Sequence, residues 1–406
     1  MQEYFIMAWR NLWRNKSRTL ITMASVFFAV LLAIMARGFQ LGAWDYMIDG
    51  ILHSYTGYIQ IHRRGFWEDR TLEYAMEWSP SLAALAGEEK EVKNIIPRFE
   101  SFALVSSGNK TKGVIVNGID PVKEDEFTGL SRRLIAGKYL AAGDTGILLS
   151  SRLAEFLKVQ AGDTVILIGQ GYHGTAAAAQ YQVKGVVKLP SLEFDNKILY
   201  LPLPVAQEFY SAGSLLTSLV IDIAHPVKMK STARKLAEKI PPEYEVMTWH
   251  EMLKELYQEY LVDNGGGIIM LFILYLIVGF GVFGTVLMMT AERMREFAMM
   301  MAVGMKQRGV VLMTAIELAY IAGIGLLCGI VCSLPLLAWF HHYPIRFTGE
   351  VARLYEAYGM QPIVPVAWRA DYIVNQGVVV GFIVLLAVLY PLYTIYKLKL
   401  PEVLRK

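Results

Sequence analysis

Charge is the scarcest commodity in this sequence. Asp, Glu, Lys and Arg make up 18% of its 406 residues, against 54% hydrophobic residues, where a soluble domain usually carries about a quarter charged. The formal net charge of +3 is too small to argue for nucleic acid as a partner. Cysteine is nearly absent: Cys328 and Cys332 are the two present, both inside an apolar block. Four residues apart on a helix, they share a face, which allows a disulfide, a two-thiol metal site or plain packing, and packing is the expectation. The rest of the chain has no disulfide to lose in an oxidising compartment. Signature motifs of catalysis are missing too. There is no G-x-x-x-x-G-K-[ST] phosphate loop, so the chain is not expected to bind ATP by itself. His250-Glu251 lacks the second histidine of H-E-x-x-H, and no G-x-S-x-G elbow occurs. The seven histidines are scattered, and His341-His342, as sequence neighbours, do not suit one metal. The expectation is no catalytic residue, no metal and no bound cofactor.

What the sequence has is long uncharged runs. Thr19 to Ala36, Gly265 to Ala291, Leu318 to Phe340 and Tyr372 to Tyr396 contain no charged residue. Each reaches the roughly 18–25 residues a helix needs to cross the hydrocarbon core. Pro335 and Pro391 lie inside spans, where neighbouring helices can satisfy the freed backbone groups. The first run is longer than a signal-peptide core and no clear Ala-x-Ala site follows it, so an uncleaved anchor is expected.

Lys and Arg near the span ends set the orientation. Arg10, Arg14, Lys16 and Arg18 precede span one; Arg293, Arg295, Lys306 and Arg308 lie between spans two and three; Lys397, Lys399, Arg405 and Lys406 follow span four. All three clusters belong on the cytoplasmic side. The predicted division is then a cytoplasmic interfacial helix over 1–18, spans over 19–43, 263–291, 309–340 and 371–396, an outside domain over 44–262, a cytoplasmic loop over 292–308, an outside loop over 341–370 and a cytoplasmic tail over 397–406. Phe5, Trp9 and Trp13 recur every four residues with Arg10 and Arg14 off that stripe, which suits a short amphipathic helix on the inner membrane surface; a simple extension of span one is the alternative.

The outside segment reads as an α+β domain. Strands are predicted at Tyr58–His62, Asn94–Val105, Ser218–Ile223 and Tyr244–Met247, with helices at Ser81–Glu88 and Lys228–Lys239: two β-α-β units that flank a long insert over about 106–215. The insert is β-rich, with strands at Gly113–Ile119, Thr164–Gly169, Tyr181–Val187 and Lys197–Leu201 and turns such as Ala161-Gly162-Asp163 between them. Two subdomains are expected, one from the flanks and one from the insert. Gly169–Gln180, with three glycines and four consecutive alanines, reads as a hairpin loop, either an inert connector or a mobile contact. A helix from Trp249 to about Leu261 leads toward span two; Gly265–Gly267 either continue it or make a hinge. The fold class is therefore a membrane protein of four transmembrane helices with an extracytoplasmic α+β domain of two subdomains.

The loop between spans two and three is dense. Glu292, Arg293, Glu296 and Phe297 open it; Ala302, Gly304 and Met305 close it; Glu317 follows about two turns into span three. A helix tied at both ends to spans suits a lever, and a solvated loop kept basic for topology is equally compatible with the residues alone. An ionisable group inside a span, such as Glu317, is costly and functional by default; its expected partner is a cytoplasmic-side cation such as Arg18, or a backbone group. Gly325 and Gly329 permit close helix contact.

This loop resembles the coupling-helix region of FtsX-like ABC permeases, whose pattern runs roughly E-R-x-x-E-[FIG] … A-x-G-[MA]-x. It is met by Glu292, Arg293, Glu296, Phe297, Ala302, Gly304 and Met305. The opening Ala8-Trp9-Arg10-Asn11-Leu12-Trp13-Arg14-Asn15-Lys16, the stretch Leu153-Ala154 … Ala161-Gly162-Asp163 and the ending Tyr390-Pro391 … Lys399-Leu400-Pro401-Glu402-Val403-Leu404-Arg405 are similar to the family's own in the same order. The layout is similar to that of lipoprotein-releasing permeases.

The resemblance implies a permease that pairs with a second copy or a paralogue and binds a dimer of cytoplasmic ABC ATPases through the coupling loop. ATP and Mg would belong to those partners. Closure of the ATPases would be relayed to the outside domain. Lipoprotein cargo, membrane lipid and a periplasmic carrier are the further partners implied, in the inner membrane. Phe297, where many relatives have glycine or a small aliphatic residue, would make the coupling surface more specific. The cargo would enter an apolar cavity between the two permeases, lined by the first and second spans, with Phe27, Val30, Leu31 and Ile34 as contacts and Ile269, Phe272 and Ile273 opposite. MacB-like efflux of peptides or small molecules, FtsX-like activation of a cell-wall hydrolase, and a membrane-anchored scaffold without an ATPase are the alternatives.

Overall fold

The computed structural model describes residues 2–14, 16–357 and 362–397. The predicted closing pattern over 398–406 and Asn15 of the opening motif lie outside the described residues. Two compact units result: residues 1–45, 260–346 and 363–406 form one, and residues 46–259 and 347–362 the other.

The first unit is helical, because its uncharged runs leave the backbone no polar partner but itself. Its elements are α1 (Gln2–Arg14), α2 (Lys16–Ile51), α3 (Lys254–Glu292), α4 (Met294–Ala302), α5 (Gln307–His342) and α6 (Ala370–Tyr396). The helices of α2, α3, α5 and α6 are long and apolar enough to cross a membrane. α5 and α6 run through Pro335 and Pro391 without ending. α3 continues through Gly265–Gly267, so the glycines are no hinge here; the break falls at Leu253, after the short helix Trp249–Met252.

Glycine sets how closely α5 approaches α2. A Cβ on Gly329 would lie 2.8 Å from the Val30 Cβ, and one on Gly325 would lie 2.9 Å from the Met23 carbonyl oxygen. The buried stripe of α5 runs Glu317, Ile321, Gly325, Gly329, Ser333 and Leu337. Cys328 and Cys332 each precede a member of that stripe by one residue and so turn about 100° away from it. Both thiols are exposed, which corrects the expectation that they pack inside the bundle.

α1 has three faces. Ala8 and Leu12 are buried, and Tyr4 joins Ala8 beside Phe297 and Val310. Phe5, Ile6, Trp9 and Trp13 are exposed apolar residues that fall together at helical spacing, and Arg10 and Arg14 lie beyond them. A helix with a protein face, an apolar face and a basic face is suited to the membrane surface.

The second unit is built on one ten-stranded sheet. Its strands are β1 (Ile59–Arg63), β2 (Val92–Ser107), β3 (Lys110–Ile119), β4 (Leu134–Gly137), β5 (Ile147–Ser150), β6 (Thr164–Gln170), β7 (Ala176–Val187), β8 (Ile198–Pro202), β9 (Ser218–Ile223) and β10 (Tyr244–Thr248), in the order β10-β1-β9-β2-β3-β8-β5-β7-β4, with β6 pairing β2 and β7. The helices Pro80–Gly87 and Met229–Lys239 cover the flank strands. Each subdomain keeps a core. Ile59, Ile61, Leu219, Ile221, Leu236 and Trp249 belong to that of the flanks, and Val105, Val116, Leu149, Leu167 and Leu199 to that of the insert. β2 is common to both: its first half pairs β9 and its second half pairs β6. Strands β4 and β5 were not foreseen, because four residues carry too little alternation to be recognised.

The predicted hairpin loop Gly169–Gln180 shrinks to residues 171–175. The four alanines are strand, paired Ala179 with Leu167, Ala178 with Ile168, Ala177 with Gly169 and Ala176 with Gln170. Alanine is a poor strand former, but what a strand residue does depends mainly on its cross-strand partners. Residues 341–370 are likewise not plain loop: they hold the strand pair Ile345–Arg346 and Ile363–Val364 and a helix Gly349–Ala357.

Candidate functional site: an ionic network beneath the spans

α3 stops at Glu292 because Arg293 leaves helical geometry, with φ −91° and ψ 3°. α4 follows and ends before Gly304, whose φ of +109° is a conformation few residues other than glycine adopt. Lys306, extended, starts α5. The predicted lever is thus a nine-residue helix with a kink at each end.

Arg293 is the centre of the site. Its Nη1 donates to both carboxylate oxygens of Glu317 at 2.8 Å, and its Nε donates to Glu296 Oε2 at 3.3 Å. The guanidinium lies 5.2 Å from the centroid of the Phe297 ring. Glu317 is 2% exposed and also receives Asn11 Nδ2 of α1 at 3.4 Å. Arg14 pairs with Glu296 and Arg18 with Glu292. Three carboxylates of α3, α4 and α5 are thereby answered by residues of α1, the start of α2 and the loop itself. The cytoplasmic-side cation expected to pair with Glu317 is Arg293 rather than the example Arg18, which is taken by Glu292. Arg293 Nη2 is buried without a hydrogen-bond partner among the described residues.

Phe297 does not face a partner. It is fully buried, clustered with Ala8, Ala298, Val310, Met313 and Ile395. This corrects its expected role as a specificity element on the coupling surface; it anchors α4 to α1 and α5. The loop's exposed side is made by Met299 and Val303, the latter 90% exposed, with Glu292, Ala302 and Gly304 beside them. Met305 is half-buried.

Of the seven residues expected to line a cargo cavity between two permeases, Val30 and Ile34 are fully buried in the helical unit, while Ile269, Phe272 and Ile273 are 63%, 59% and 53% exposed; Phe27 and Leu31 are intermediate. Val30 sits on Gly329 of α5. At the other end of these helices α2 and α3 are joined by polar contacts, from Arg37 to Asn264 and from Gln40 Nε2 and Trp44 Nε1 to Asp263 Oδ2 at 3.0 and 2.6 Å.

A MacB-like periplasmic core domain matches residues 19–239, and an FtsX-like permease C-terminal domain matches residues 268–400. The chain belongs to the MacB-like periplasmic core domain family. It is 24% identical over 342 residues to the lipoprotein-releasing system transmembrane protein LolC of Neisseria meningitidis serogroup B, covering 80% of this chain and 79% of that protein. It is 21% identical over 362 residues to the macrolide export ATP-binding/permease protein MacB of Mannheimia succiniciproducens, covering 86% of this chain and 55% of that protein. Among solved structures, the periplasmic region of MacB from Actinobacillus actinomycetemcomitans matches with 19% identity and a TM-score of 0.36, covering 52% of this chain and 95% of that one. The chain is thus an ABC transporter permease of the LolC/LolE or MacB type, a membrane protein with an extracytoplasmic domain. Within this family member, sequence reasoning found Glu292, Glu296 and Glu317 but missed Asn11, Arg14 and the inward turn of Arg293. Part of this held a signal: Asn11 and Arg14, three residues apart on α1, share one helical side.

Proposed function

We propose that this permease relays the motion of a cytoplasmic ABC ATPase dimer to its sheet domain and, paired with a second copy or a paralogue, extracts lipoproteins from the outer leaflet of the inner membrane. Both termini and α4 lie on the cytoplasmic side in this reading. The carrying observation is the Arg293–Glu317 pair: a push on α4 acts on a residue bonded directly inside span three, and tilt of that span follows because α4 is also packed on it through Phe297. ATP and Mg belong to the partner, and this chain hydrolyses nothing. The sheet offers a surface for a periplasmic carrier in the exposed apolar side chains Phe102, Leu104, Ile166 and Ile168, which the pairing Leu104–Ile168 places together. The likeness to a macrolide exporter over 86% of this chain supports efflux of small molecules or peptides as the second reading.

The test is a gentle pull-down of the tagged chain from native membranes with mass spectrometry of what is bound. An ATPase with acylated lipoproteins is the expected result. An ATPase with an adaptor or outer-membrane duct moves the reading to efflux, and no ATPase sinks the transporter. Protease added outside intact spheroplasts should cut within residues 44–262, and protection there overturns the orientation.

A further inference from the structure

One edge of the sheet carries three cations that form no ion pair among the described residues. β4 is the edge strand and pairs β7, and the Lys188 N–H donates to the Arg133 carbonyl oxygen at 2.9 Å. The residue leaving β7 therefore meets the two that lead into β4. Arg132, Arg133 and Lys188 line a cavity of about 360 Å³ together with Leu134, Ile135 and Leu189. Among the described residues none of these three cations has a carboxylate within 4.0 Å. Arg133 Nη1 donates to the Ser54 hydroxyl at 3.2 Å, which leaves its charge unneutralised. Asp49 attracts Arg133, but its carboxylate is engaged by His53 at 2.9 Å. Burial lowers the Arg133 pKa, the mark of a cation poorly served by water.

Two guanidiniums and an ammonium around one cavity suit an anion with several equivalent oxygens, because arginine donates in a planar fork that matches phosphate. The remaining lining is Leu134, Ile135, Leu189 and Pro190 with the ring of Tyr46, and a pocket with convergent polar groups and a largely apolar wall fits a ligand that has both characters. We propose that this cavity binds a phosphate group that carries net negative charge, with Arg132, Arg133 and Lys188 holding the anion and, where the phosphate belongs to a lipid, Leu134, Ile135 and Leu189 meeting the adjoining carbons. An anionic phospholipid headgroup and soluble phosphate are its two sources. The inference does not depend on the transport reading.

The experiment titrates the full chain, purified in an uncharged detergent, with short-chain phosphatidylglycerol, short-chain phosphatidylcholine and inorganic phosphate. Phosphatidylglycerol is expected to saturate one site that Arg132→Ala with Lys188→Ala weakens about tenfold or more, at roughly a few-fold per cation. Arg10→Ala, on α1, should leave that site unchanged and serves as the control for general attraction to basic residues. Arg132 and Lys188 are exposed, so the double variant should keep the wild-type melting temperature; Arg132→Glu gives a second reading by charge reversal. Inorganic phosphate binding as tightly as phosphatidylglycerol would keep the site and assign it to the soluble anion. Equal affinity of the double variant and the wild type, equal affinity for the zwitterionic lipid, or no saturable binding of any probe would overturn the proposal.

Discussion

Both units bury an arginine–glutamate pair, and the two pairs are built differently. In the sheet unit, Arg98 is fully buried on β2 and gives Nε and Nη2 to the two oxygens of Glu124 at 2.9 and 2.7 Å, while Nη1 donates to the Tyr55 carbonyl oxygen. Burial works against its charge, yet Glu124 beside it outweighs that cost and holds the guanidinium above its ordinary pKa. Every nitrogen has a partner. In the helical unit, Arg293 presents one nitrogen to both oxygens of Glu317, shares a second with Glu296 and leaves a third without a partner. A saturated pair has one best arrangement. An unsaturated and shared pair has neighbouring arrangements of similar energy, which is what a moving element requires.

The largest expected effect breaks the saturated pair. Arg98→Ala strands Glu124 in the interior and should cost about 3–5 kcal/mol, seen as early proteolysis of residues 46–259 and a lowered melting temperature of the full chain. Glu317→Gln keeps the shape of the other pair and removes its charge. It should cost about 1–3 kcal/mol while abolishing co-purification of the ATPase or transport; a loss as large as that of Arg98→Ala would erase the contrast between the two. Gly304→Ala tests whether the backbone turn, rather than the ionic network, holds the loop. Its φ of +109° predicts a loss of about 1–2 kcal/mol, measured by hydrogen exchange across α4. Arg14→Ala removes a pair whose side chains are 52% and 38% exposed and should change stability by less than about 1 kcal/mol. A larger loss in thermal denaturation would mean that the network is as tightly made as the Arg98 site.

The same contrast explains what was legible. The existence of the helical spans was readable, since a run without charge has few other fates, but α2 continues to Ile51 beyond the predicted end at 43 and α3 begins at Lys254 before the predicted start at 263. The strands of the flanks were readable for a similar reason: Ser218–Ile223 is a short, mostly apolar run rich in β-branched residues and buried at every position, and it formed where expected. Ala176–Ala179 was not readable, because four methyl groups carry no period. The candidate site was half readable. Glu317 announced itself as a charge inside an apolar run. Its partner did not, because several arginines lie near the cytoplasmic span ends and the choice among them rests on the kink at Arg293.

The sequence by itself determined that the chain has four membrane-length helices, an α+β domain between the first two, and a charged loop between the second and third. Those properties follow from local composition, where the cost of placing charge in hydrocarbon or apolar surface in water is paid residue by residue. Tertiary structure alone decided that Phe297 is interior, that Val30 meets Gly329, that Cys328 and Cys332 face outward, and that Arg132, Arg133 and Lys188 share a cavity. Each depends on which helix or strand comes to lie beside another, and that is set by packing summed over many residues far apart in the chain.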